Sequence, residues 1–176
     1  MRIIKWIVGI VLVLVVVFFA GALALPKDVA VARSIEIEAT PEQIFPHVNS
    51  LKAGAEWSPW LGRDPEVQLT YSGPDAGVGA KLDWASEHPQ VGNGSQIISA
   101  SVDNEKVTTD LDFGDMGKAV ASIDLVESNG KTMVTWGFET DLGSNPVARW
   151  MGLMMDRWVG GDYEAGLSNL KALVEG

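Results

Sequence analysis

Residues 119–174 read AVASIDLVESNGKTMVTWGFETDLGSNPVARWMGLMMDRWVGGDYEAGLSNLKALV, and the period of the apolar residues changes within them. Ala119–Val126 and Thr132–Thr140 alternate apolar and polar residues, the two-residue period of strands with one buried face. Asn129-Gly130 between them is the strongest short hairpin signal, because both residues tolerate positive φ. After Gly143 the steps become three and four: Val147, Trp150, Met151, Met154 and Trp158, then Tyr163, Leu167, Leu170, Leu173 and Val174. Pro146 suits a first helical position, with Ser144 or Asn145 as cap. The spacing predicts one long helix over about 146–174, weakened or kinked at Gly160-Gly161, with its stripe turned toward a sheet.

Upstream the pattern is strand after strand. Val67–Tyr71, Ala80–Trp84, Ser95–Val102 and Val107–Phe113 alternate, divided by breaks at Ser72–Gly79, His88–Gly94 and Asp103-Asn104, with Gly114–Gly117 ahead of Ala119. Short turns between consecutive strands imply antiparallel neighbours. Before them, Thr40-Pro-Glu-Gln43 has the residues of a capping box, so a helix is expected over Pro41–Val48, bent or ended at Pro46. A second short helix is expected over Leu51–Glu56, stopped by Trp57-Ser-Pro-Trp60. Residues 26–33 read as a connector and Arg33–Ala39 as the first strand. The expected fold is therefore α+β: a seven-stranded antiparallel sheet wrapped around a long carboxyl-terminal helix. A sheet with one apolar face must be covered, and this helix is the only element large enough to cover it. A gap between the two is the natural place for a ligand.

The amino-terminal end belongs to a different solvent. Trp6–Leu25 is 20 residues without a charge. As a helix it covers about 30 Å, the hydrocarbon thickness of a bilayer. The chain thus divides into a transmembrane anchor over 1–26, crossing through residues 7–25, and a domain over 27–176. Arg2 and Lys5 precede the run, so the positive-inside bias puts the amino terminus in the cytoplasm. The single-pass reading leaves the domain extracytoplasmic, periplasmic in a Gram-negative cell. The alternative is a cleaved secretory signal, since Ala22-Leu-Ala24 has a small-x-small form, but the run exceeds the usual signal core of about 7–15 residues.

All but two of the 13 Lys and Arg, and all 23 Asp and Glu, lie beyond residue 25, so that part carries a net charge of −12. Phosphate backbones repel such a surface, and no nucleic-acid partner is expected. The absence of cysteine excludes disulfides, thiolate metal sites and a cysteine nucleophile. With only His47 and His88, no metal site and no cofactor are expected. Oligomeric state is not legible.

Catalytic motifs are missing. There is no Gly-x-Ser-x-Gly elbow, and Gly92-Asn-Gly-Ser95 is too short for a phosphate loop and lacks its lysine. Asn93-Gly-Ser95 has the glycosylation pattern, which matters only in a eukaryotic secretory route. His47 and His88 read as helix-end and loop residues without an oriented partner. Asp110 and Asp112 stand on one strand face about 7 Å apart, the face opposite Val107, Leu111 and Phe113, and read as solvated. Glu139 and Asp141 have the same reading. The aromatics are more informative: six of the seven tryptophans lie after residue 26. Trp57 and Trp60 read as a lid, a membrane-facing patch or a plug at one end of the sheet.

Several local stretches carry a resemblance. Ile35–Phe45 (IEIEATPEQIF), Trp57-Ser-Pro-Trp60, Tyr71-Ser-Gly-Pro74, Gly77-Val-Gly79, Trp84 and Gly161–Lys171 (GDYEAGLSNLK) follow one another over residues 31–175. Together they resemble the START-like or SRPBCC superfamily, in its polyketide cyclase/dehydrase-like branch. The resemblance implies a helix-grip fold and a cavity for a small hydrophobic molecule or lipid. The superfamily spans enzymes, carriers and sensors, so it does not choose an activity. The residues expected to line the cavity are Trp84, Phe113, Trp136 and Phe138 from the sheet, with Met151, Met154 and Trp158 from the helix. Three functions compete. One is a membrane-anchored, extracytoplasmic binding module for a hydrophobic or amphipathic ligand. A second is a cyclase- or hydrolase-like enzyme using the same cavity. The third is a closed-core structural or partner-binding domain.

Overall fold

The computed structural model describes residues 2–176. Helix α1 (Arg2–Ala24) precedes strand β1 (Asp28–Ile37) and the short helices α2 (Pro41–Val48) and α3 (Leu51–Gly54). Then come β2 (Gln68–Ser72), β3 (Lys81–Ala85), β4 (Gly94–Val102), β5 (Lys106–Asp112), β6 (Lys118–Ser128), β7 (Lys131–Asp141) and α4 (Pro146–Glu175). Among the described residues these strands form one seven-stranded sheet in the order β1-β7-β6-β5-β4-β3-β2, antiparallel throughout. It is a helix-grip fold: a meander from β2 to β7, with β1 returning to the edge of β7 and α4 lying across the concave face.

The alternation seen in the sequence sets the inner face. Ala119, Ala121, Ile123 and Leu125 of β6 are buried, and Thr132, Val134, Trp136 and Phe138 of β7 are buried beside them. The β6–β7 turn closes on Asn129 and Gly130, with φ of 55° and 76°, the pair of positive values that a two-residue hairpin needs. Thr132, the buried polar residue of this face, donates its hydroxyl to the Ala39 carbonyl at 2.7 Å. In α2, Gln43 Oε1 accepts from the Thr40 amide at 3.0 Å, while Pro46 lies inside the helix without ending it.

Two expectations need correction. Strand β1 begins at Asp28, five residues before the expected start, because β7 offers partners along its whole length, from Asp28 opposite Asp141 to Ile37 opposite Thr132. Most of the supposed connector is strand, with Val29 and Val31 on its inner face. Helix α4 is the one long helix expected, continuous through Gly160-Gly161. The first of these glycines makes room for a neighbour: a Cβ on Gly160 would collide with the Arg33 guanidinium. Arg33 points inward from β1 and pairs with Asp156 at 3.0 Å and Glu164 at 2.7 Å, one helical turn to either side of Gly160.

The second correction concerns the face of α4. In its second half the expected stripe does face the sheet, with Tyr163, Leu167 and Leu170 buried. In its first half the stripe turns away: Val147, Trp150, Met151, Met154 and Trp158 are all exposed. The residues packed on the core there are Met155 and Val159. The helix advances about 100° per residue, so Tyr163, Leu167 and Leu170 share an arc that excludes 147, 151, 154 and 158. Two apolar faces on one helix look like a single long stripe in the sequence.

Candidate ligand-binding cavity

Behind the inner face of the sheet lies a cavity of about 400 Å³. Its floor is built by strand alternation. Leu82 and Trp84 come from β3, Leu111 from β5 with Phe113 just beyond it, Ala121 and Ile123 from β6, and Trp136 and Phe138 from β7. Helix α4 supplies Trp158, Val159, Asp162 and Tyr163 as the opposite wall. The end is closed by Val48, Leu51, Trp57, Trp60 and their neighbours in α2, α3 and the following loop. The exposed members of the lining are Pro89, Gln90, Met116 and Trp158, and they mark where the cavity opens.

Two aromatic groups shape this space. Trp136 stacks on Tyr163 with ring centroids 3.9 Å apart, and the edges of Trp57 and Trp60 close on Trp136 at 5.0 and 5.7 Å. Gly166 permits this cluster: a Cβ there would sit 2.7 Å from the Trp136 ring and 3.2 Å from Pro59. Toward the mouth, Trp84 and Phe113 meet edge to face at 6.0 Å. Indole nitrogens in an apolar setting need acceptors, and both closing tryptophans have one. Trp57 Nε1 donates to the His47 carbonyl at 3.1 Å, and Trp60 Nε1 to Asp162 Oδ2 at 2.9 Å.

Few polar groups reach the cavity. Asp162 is the carboxylate of its wall, and Arg63 and Trp60 already hold it. That pairing raises the Arg63 guanidinium above its ordinary value. Tyr163 is 2% exposed, and burial alone holds its phenol well above the ordinary tyrosine value, so it stays protonated and able to donate. Neither His47 nor His88 belongs to the lining. Asp110 accepts from Ser99 Oγ at 3.0 Å and Asp112 pairs with Lys118 at 2.9 Å, both away from the cavity. Among the described residues no group of three or more His, Asp or Glu side chains could hold a metal ion.

Of the seven residues expected to line the site, the structure brings Trp84, Phe113, Trp136, Phe138 and Trp158 together around this cavity. Met151 and Met154 stand elsewhere, on the outward arc of α4, 48% and 46% exposed. Tyr163 was hidden in the sequence by its place in a core stripe with Leu167 and Leu170. The available signal was Gly166, a small residue one turn from a tyrosine on a face otherwise made of leucines.

An antiparallel sheet gripping a helix over an aromatic-lined cavity defines a helix-grip protein of the START-like, SRPBCC class. The sequence matches the family described as polyketide cyclase / dehydrase and lipid transport over residues 28–175, and the chain belongs to that family. No curated protein matches it. Among solved structures it is similar to a Chromobacterium violaceum protein, with 19% identity, TM-score 0.59, and 86% of this chain and 99% of that one covered. It is also similar to norcoclaurine synthase from Thalictrum flavum in complex with dopamine and hydroxybenzaldehyde, with 13% identity, TM-score 0.64, and 87% and 89% covered. A third is the di-domain ARO/CYC StfQ from the steffimycin biosynthetic pathway, with 10% identity, TM-score 0.63, and 85% and 51% covered. At these identities the likeness is one of fold.

Proposed function

We propose that this protein is a membrane-anchored binding module that holds a small hydrophobic or amphipathic molecule between its sheet and α4. The observation that carries the reading is the 400 Å³ cavity, which falls in the range of about 300–1,000 Å³ usual for ligand pockets. Its walls are mainly rings and aliphatic side chains, which recognise shape and apolar area. Tyr163, with its neutral phenol, adds one donor for a carbonyl, carboxylate or ether oxygen. Lipid transport in the description of the family supports the same reading.

The anchor is α1, which is long and apolar enough to cross a membrane and has almost none of its surface buried. A core helix of a soluble protein would be covered. With Arg2 and Lys5 at its amino-terminal end, the domain lies on the extracytoplasmic side in this reading. An acid–base enzyme in the same cavity would have to work with Asp162, already paired with Arg63 and Trp60, and Tyr163, whose buried phenol keeps its proton. No observation favours that alternative over binding.

Native mass spectrometry of the full chain, extracted in mild detergent from its own host, tests the proposal. The expected spectrum contains a bound species that is lost on organic extraction, and the emptied protein then takes up a fluorescent fatty acid. A spectrum of bare protein, with no uptake, would leave the closed-core alternative.

A further inference from the structure

The outward face of α4 is an apolar surface that the fold leaves largely uncovered. Val147, Trp150, Met151, Met154 and Trp158 occupy it, with Leu153 at 60% exposure beside them. Three independent observations bear on what covers it. The first is contact with α1. The Trp150 ring stacks on Phe18, and its Nε1 donates to the Phe18 carbonyl at 3.2 Å. Phe18 lies six residues inside the end of α1, about 9 Å down the helix axis. A side chain of α4 therefore reaches to the depth of the anchor's last turns. Arg149 ties the two elements together by donating to the carbonyls of Ala22 and Leu25.

The second observation is charge. In a domain with 23 carboxylates, none occurs between Asp141 and Asp156, and Asp156 is held by Arg33. The basic residue of this stretch is Arg149, and Arg157 follows directly after Asp156. This patch escapes the acidity that keeps the rest of the surface away from lipid headgroups.

The third is the end of the sheet at which the cavity opens. Asp28, where β1 leaves the anchor, pairs with Asp141; Glu139 pairs with Val120; Asp112 pairs with Lys118 and Ser95. The register thus puts the β5–β6 turn with Met116, and the loop before β4 with Gln90, at the anchor end. Trp158 both lines the cavity and ends the outward face of α4.

We infer that the first half of α4 lies in the headgroup–acyl boundary of the bilayer that α1 crosses, pressing the cavity mouth against the membrane, so that an amphipathic ligand passes between bilayer and cavity without crossing water. The inference rests on the anchored binding-module reading and adds the direction of exchange and the source of the ligand. The interface suits these residues: tryptophans with one wet edge, flexible methionines and arginines at headgroup level.

The cysteine-free chain allows a direct test with single-cysteine variants of the full-length protein carrying a fluorophore, in phosphatidylcholine vesicles. Met154→Cys and Val147→Cys report the outward face, and Val13→Cys reports the anchor. Val126→Cys is the aqueous control. Val126 pairs with Met133, which faces Glu36, eight residues along β1 from Asp28 and about 26 Å from the anchor end. Labels at 147 and 154 are expected to be quenched by nitroxide on lipid acyl chains roughly threefold or more above the 126 label, and shielded from aqueous iodide. If they match the 126 label while the 13 label stays in lipid, the docking face is overturned and the anchor stands. An iodide-accessible label at 13 overturns the anchor itself. Efficient disulfide cross-linking between two chains of the unlabelled Met154→Cys variant would mean that a second copy covers the face, which also overturns the inference.

Discussion

Tyr163 is the residue on which most of the site turns. Its ring completes the stack on Trp136, and its phenol meets an environment that penalises the charged form. Raising a tyrosine's value on folding stabilises the native state fully below the unfolded value of 10.0, and this contribution disappears as pH climbs from there toward the folded value. In Tyr163→Phe the pH-dependent term is removed while the ring remains. The wild type is therefore expected to lose stability relative to Tyr163→Phe by about 1.4 kcal/mol per pH unit above pH 10, with the two nearly parallel at pH 7–9. Thermal melts of both proteins across that range measure the difference. Parallel curves up to pH 11 would show that the phenol is not desolvated.

Helix α4 carries the largest disagreement between pattern and structure. Its limits were legible: Asn145 caps it by accepting from the amides of Val147 and Ala148, and Pro146 takes the first turn. Its facing was not, because the sequence holds two apolar arcs and periodicity does not say which one meets the sheet. Methionine neighbours separate them. Met155→Ala, on the arc packed on the core, is expected to cost about 2–3 kcal/mol, since it leaves a void. Met154→Ala, 46% exposed, should change stability by no more than about 0.5 kcal/mol. Denaturation of both variants in the same detergent decides it, and the reverse ranking would restore the stripe to the sheet. The same ambiguity touched β1, whose first residues looked like a connector until β7 supplied a partner for each of them.

At the scale of the whole molecule, α1 meets the domain only at its carboxyl-terminal end, where Ala22 is buried and Phe18 touches Trp150, while the rest of its surface is open. This arrangement suits an anchor retained in the mature protein. Amino-terminal sequencing from the native membrane is expected to show residues 7–25 kept in the mature chain, which should resist alkaline carbonate extraction. A reporter fused after Gly176 is expected to be active only outside the cytoplasm. A mature chain beginning at Leu25 or Pro26 would make α1 a signal peptide and leave the α4 face without its neighbour.

Local periodicity was enough to read the strand count, the antiparallel meander, the Asn129-Gly130 hairpin and the single covering helix, because two- and 3.6-residue periods are properties of the backbone alone. The same alternation put Trp84, Phe113, Trp136 and Phe138 on the apolar faces of their strands, and the cavity lies over all four. Folding in three dimensions decided what depends on contacts between distant residues. Arg33 reaches α4 across more than a hundred residues and its guanidinium lies over Gly160, so a glycine that reads only as a weak point in the helix is the seat of an ion pair. Gly166 admits Trp136 against Tyr163, which makes a core tyrosine into a wall of the cavity. Burial of Tyr163, Leu167 and Leu170 against the sheet fixes the rotation of α4 about its own axis, which sends Met151 and Met154 outward and keeps Trp158 at the mouth, and spacing alone does not say which arc is buried.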